Sequence, residues 1–80
     1  MIEIYLYGDV KTLVRGSIPD ADTILLFDYV EGEHFQELLN RLGLKQDDVG
    51  KCFINNSLAV PEKVIRDCDT IELNQNNPSA

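Results

Sequence analysis

Two cysteines, one histidine and fourteen carboxylates are the side chains with which this 80-residue chain could do chemistry. Cys52 and Cys68 are too few for a closed zinc site or an iron–sulfur cluster, which normally take four ligands. A disulfide is open on count, but a reducing compartment keeps thiols apart, so the expectation is two reduced, partly buried cysteines behaving as small hydrophobes. His34 has no Ser, Cys or Asp at triad spacing and reads as an exposed residue at the start of a helix. Asp47-Asp48 and the Asp67/Asp69 pair suggest metal or acid–base work. Neither has the spacing of a calcium loop or a histidine nearby. They read as solvated loop charge, with a turn hydrogen bond for Asp67 or Asp69. The glycines, at 8, 16, 32, 43 and 50, are too dispersed to cradle a phosphate. No nucleophile–base pair emerges, so the chain reads as a non-enzyme without a metal or cofactor.

The elements that would position anything else follow from periodicity. Ile2-Glu3-Ile4-Tyr5-Leu6-Tyr7 alternates with period two, which makes a strand ended by Gly8-Asp9. Ile2, Ile4 and Leu6 face a core, and Tyr5 and Tyr7 the opposite side. Val10 to Arg15 forms a short turn dropping Leu13 or Val14 onto the core, and Gly16, Pro19 and Asp20-Ala21-Asp22 read as loop. Thr23 to Val30 is a second, more continuously apolar strand. Phe35, Leu38, Leu39 and Leu42 then make one helical stripe of about ten residues. Gly43 is its stop, Glu33 and Arg41 suit its dipole, and its N-cap is ambiguous between Gly32 and His34. Lys45 to Gly50 reads as loop. Cys52-Phe53-Ile54 and Leu58-Ala59-Val60 are short strands about an Asn55-Asn56 turn. Pro61 starts a helical turn through Val64, with Ile65 as a plug beneath it. Thr70 to Leu73 is the last strand, and Asn74 to Ala80 a flexible tail. The expected fold is α+β, order β-β-α-β-β-β, with a mixed sheet of four to five strands and one helix on one face. The domain spans 1–73 and the tail 74–80.

Seven basic against fourteen acidic side chains give a net charge of −7. That disfavours nucleic acid and anionic membranes and favours a basic protein partner. With neither a membrane-length apolar run nor a signal peptide, a cytoplasmic location is expected. If Cys52 and Ile54 face inward, Phe53 joins Tyr5 and Tyr7 on the open sheet face. Those three are the candidate protein-docking residues. The alternative is a partly covered face with scattered aromatics.

The chain resembles the MoaD/ThiS family of β-grasp, ubiquitin-like sulfur carriers from Ile2 to about Leu73. The helix motif is His34-Phe35-Gln36-Glu37-Leu38-Leu39 with Arg41-Leu42-Gly43-Leu44. The hairpin is Cys52-Phe53-Ile54-Asn55-Asn56, and the last strand follows Ile65-Arg66-Asp67-Cys68-Asp69. His34 stands where the family has a capping Thr, and Cys68 where it has a turn glycine. The resemblance implies docking through the sheet face and tail onto an activating or cofactor-synthesis enzyme, as a monomer or hetero-complex. The family's terminal Gly-Gly threads a narrow channel, is adenylated and becomes a thiocarboxylate. Here the tail carries Pro78, Ser79 and Ala80, whose side-chain atoms such a channel excludes. The expectation is therefore a non-catalytic protein-binding module without an activatable diglycine terminus. The alternative is a working sulfur carrier for molybdopterin, thiamine or a related thio-cofactor, with Ala80 supplying the carboxylate. Ser57-Leu58 is superficially similar to the modified serine of acyl carriers, but those are helical bundles and Ser57 lies between strands.

Overall fold

Strand β1, Ile2–Leu6, keeps the alternation of its sequence: Ile2, Ile4 and Leu6 are buried, Glu3 is exposed and Tyr5 half-buried. The computed structural model describes residues 1–8, 10, 14 and 24–75. It continues with β2 at Ile24–Phe27, helix α1 at Phe35–Leu42 and a 3-10 turn at Gln46–Asp48. Strands β3 at Val49–Ile54, β4 at Ser57–Leu58 and β5 at Thr70–Gln75 follow. All five strands form one mixed sheet in the order β2-β1-β5-β3-β4. The central pair, β1 and β5, is parallel and the remaining pairs are antiparallel. Phe35, Leu38, Leu39 and Leu42 of α1 pack with the inward residues of β1, β3 and β5 into one core, so the helix covers one face of the sheet. This is the expected β-β-α-β-β-β arrangement.

The helix start is built from distant groups as well as local ones. His34 is the N-cap, in extended conformation, and bridges to Val64. The Phe35 and Gln36 N–H groups, orphaned at the helix start, donate to the carbonyls of Lys63 (2.7 Å) and Pro61 (3.1 Å). The Glu37 carboxylate accepts the His34 N–H at 3.0 Å, one half of a capping box. A capping Thr is therefore dispensable, because the 61–63 turn supplies acceptors that no local reading would find. At the other end Gly43 takes φ 83° and closes the helix as its sequence position implies.

Several expected boundaries move. The second strand is four residues, not eight, and lies at a sheet edge, so its apolar run is not wholly buried. Thr23 lies outside the described residues. Strand β3 begins at Val49, inside the stretch read as loop; Val49 pairs with Gln75 across a bulge and is buried. The Asn55-Asn56 turn has both residues at positive φ (51° and 70°), so the return strand starts at once, with Ser57 opposite Ile54. Residues 61–63 make a single turn closed by the Lys63 N–H on the Val60 carbonyl at 3.0 Å, not a helical segment. Ile65 is the expected plug, 1% exposed. Val14 reaches the core, as does Val10, which had no periodic neighbour to reveal it. Leu13 and the loop at 16–22 lie outside the described residues. Strand β5 continues to Gln75, two residues into the expected tail; Pro78, Ser79 and Ala80 lie outside the described residues.

Candidate docking face

With the helix on one face, the other face of the sheet is a broad surface that the described strands define. Register places its side chains. Tyr5 pairs with Ile24 on one side and Glu72 on the other, and Phe53 pairs with Glu72 and Leu58. Directly paired residues point to the same side of a sheet. One row therefore crosses all five strands: Ile24, Tyr5, Glu72, Phe53, Leu58. Glu3 and Leu26 pair in the adjacent row. Ile24, Leu26 and Leu58 are 46%, 60% and 60% exposed, so three aliphatic side chains of the edge strands share this face with the aromatic ones.

All three aromatic residues expected on this face lie on it, but not as one cluster. The rings of Tyr5 and Tyr7 stack with centroids 6.5 Å apart. Phe53 is separated from them by β5, with Glu72 between. The Tyr7 hydroxyl reaches a Glu72 carboxylate oxygen at 3.5 Å, and partial desolvation, followed by that nearby negative charge, raises its pKa. The sequence reading missed Ile24, Leu26, Leu58 and Glu72. The run Ile24-Leu25-Leu26-Phe27 carried the signal. Four consecutive apolar residues on a strand must present two to each face; here Leu25 and Phe27 pack on the core and Ile24 and Leu26 do not.

A part-buried ion pair ties edge strand β2 to the helix. Arg41 of α1 makes a bidentate contact with Glu33, Nε to Oε2 at 2.7 Å and Nη2 to Oε1 at 2.8 Å. The same Nη2 donates to the Asp28 carbonyl, just past β2, at 2.8 Å, and the guanidinium lies 4.4 Å from the Phe27 ring centroid. One side chain thus anchors edge strand β2 to the scaffold. The Glu33 carboxylate, through its hydrogen bonds foremost, raises the Arg41 pKa.

The remaining chemistry-bearing residues are occupied structurally. Both cysteines are free; Cys52 is buried on the core side, where desolvation raises its pKa, and Cys68 is exposed rather than partly buried. Cys68 stands outside the core because it occupies a left-handed turn position at φ 69°. Asp69 is buried and accepts from Asn55 Nδ2 and the Arg66 N–H, each at 2.8 Å, joining the hairpin turn to the start of β5. Asp67 accepts from the Met1 amino group, which lowers the Asp67 pKa and raises that of the amine. Asp48 accepts the Lys45 N–H at 2.7 Å. His34 is exposed and serves the helix start. Among the described residues, no group of three His, Cys, Asp or Glu side chains gathers where a metal could bind, and no helix is long and apolar enough to cross a membrane.

No protein-family model matches the chain, and no curated protein matches its sequence. Among solved structures it is similar to SAMP1 from Haloferax volcanii, with a TM-score of 0.67 over 99% of this chain and 98% of that one, at 12% identity. At that identity the likeness is one of fold. The fold is a ubiquitin-like β-grasp.

Proposed function

We propose that this chain is a ubiquitin-like protein-binding module, not an enzyme, that docks its open sheet face on a cytoplasmic protein with a positively charged surface. The observation that carries the reading is the row Ile24–Tyr5–Glu72–Phe53–Leu58 on the sheet face opposite the helix, with Ile24 and Leu58 exposed at its ends and Tyr5 and Phe53 half-buried on either side of Glu72. The net charge of −7 and the carboxylates of Glu3 and Glu72 on that face favour a cationic partner. Descent within the MoaD/ThiS family draws support from Cys68, which holds a left-handed backbone at the place where those carriers have glycine.

The test compares capture of cytoplasmic proteins by the native chain and by variants. Tyr5→Ala, Phe53→Ala and Leu26→Asp alter the docking face; Gln36→Ala and Asn40→Ala alter the exposed side of the helix. A basic protein lost with the first three and kept with the last two is the expected result. Capture indifferent to the sheet variants removes the face from consideration. Sulfur carriage is the competing reading. A thiocarboxylate found by intact mass after incubation with an activating enzyme, ATP and a sulfur donor would overturn ours.

A further inference from the structure

Glu72 sits at the centre of the open face with aromatic neighbours on both adjacent strands, Tyr5 on β1 and Phe53 on β3. The two flanking strands are two sheet spacings, about 10 Å, apart. Directly paired side chains start about 5 Å apart, so Tyr5 and Phe53 flank whatever group binds Glu72, and an aromatic flank attracts a cation. Among the described residues no cation forms an ion pair with Glu72, whereas Met1–Asp67, His34–Glu37 and Arg41–Glu33 are paired. Lys51, exposed on β3, is a neighbouring cation and makes no such pair. Among the described residues, the Tyr7 hydroxyl reaches one Glu72 oxygen at 3.5 Å, which is long for a hydrogen bond, and the other oxygen has no partner. The apolar side chains of Ile24 and Leu58 close the two ends of the row.

We infer that Glu72 is the socket for an arginine side chain of the partner, flanked by Tyr5 and Phe53, with aliphatic partner residues on Ile24, Leu26 and Leu58. This rests on the docking reading and specifies the chemistry at its centre. Charge complementarity selects a cation. The aromatic flanks select guanidinium over ammonium, because the planar, weakly hydrated ion stacks on rings and takes a carboxylate with two parallel hydrogen bonds. Rim side chains that exclude water strengthen such a pair beyond its value in bulk solvent.

The test is a titration of the full chain, followed by amide chemical shifts, with three blocked peptides: acetyl-Leu-Arg-Leu-amide and the same sequence with Lys or Gln at the centre. The arginine peptide is expected to shift the amides of Tyr5, Phe53 and Glu72 and to bind about fivefold more tightly than the glutamine peptide, the upper end for a partly exposed pair. The lysine peptide is expected between them. Glu72→Gln should abolish the difference, whereas Glu3→Gln on the same face should retain it. The spectra themselves report whether each variant is folded. Equal binding of all three peptides at the sheet face overturns the socket and leaves the docking face standing. Absence of arginine-peptide binding, or binding elsewhere, also overturns it. Failure of the docking reading shows separately, as capture indifferent to Tyr5→Ala and Leu26→Asp.

Discussion

Replacing Arg41 with alanine should destabilise the domain by about 2–3 kcal/mol, the value expected between an exposed ion pair (about 0–1) and a buried pair broken on one side (about 3–5). The position between those limits comes from the structure. The Glu33 side chain is 6% exposed and the Arg41 side chain 30%, so the anion is left dry while water reaches the site of the lost cation. The variant loses two charge-assisted hydrogen bonds to Glu33, the bond to the Asp28 carbonyl and the contact with the Phe27 ring. Against a total of roughly 4–12 kcal/mol for a chain of this size, that is a large fraction. The melting temperature should fall by about 8–24 °C, at roughly 4–8 °C per kcal/mol. Urea unfolding followed by circular dichroism measures it. A double-mutant cycle with Glu33→Gln should return a coupling of about 1.5 kcal/mol or more. Arg41→Lys should recover only part of the loss, since an ammonium cannot make the bidentate contact. A cost below about 0.5 kcal/mol for Arg41→Ala would show that the pair behaves as an ordinary surface contact and does not anchor β2.

Cys68→Gly should stabilise the protein by about 0.5–1 kcal/mol in the same assay, relieving a side chain held at φ 69°; destabilisation would mean that the thiol makes a contact worth more than the backbone strain. A thiol reagent added to the native protein should modify Cys68 promptly and Cys52 only on unfolding, since Cys52 is buried with a raised pKa. Prompt modification of both, or of neither, contradicts this. The Glu37 carboxyl, held below its ordinary pKa chiefly by the His34 N–H and then by the His34 ring, contributes stability that is present above its unfolded pKa near 4.5 and fades as pH falls through the lower folded value. The urea midpoint should therefore drop more between pH 6 and pH 3 for the native chain than for Glu37→Gln, and parallel curves would dismiss the effect.

The core was readable because its signals are local. The alternation of Ile2, Ile4 and Leu6 and the stripe from Phe35 to Leu42 each need only one element to be seen. The helix cap was not, because Pro61 and Lys63 supply their carbonyls from a turn about thirty residues away. Strand ends were displaced for a similar reason: Val49 becomes strand only through its pairing with Gln75. Of the docking face, the aromatic residues were legible from alternation about the buried positions. Glu72 was not, since a glutamate in a period-two strand looks like any solvated residue until register sets it between Tyr5 and Phe53. Glu33 and Arg41 were read as separate helix-dipole charges, and only the folded chain makes them a pair.

Photo-crosslinking from single positions would show which surface of the domain meets its partner. A benzophenone side chain placed at position 53, and separately at position 36 on the far side of the helix, would be irradiated in cytoplasmic extract and the products mapped by mass spectrometry. A discrete adduct from position 53 alone is expected, attached to the partner beside an arginine among aliphatic residues. Adducts from position 36 alone, or the same adducts from both positions, would contradict it.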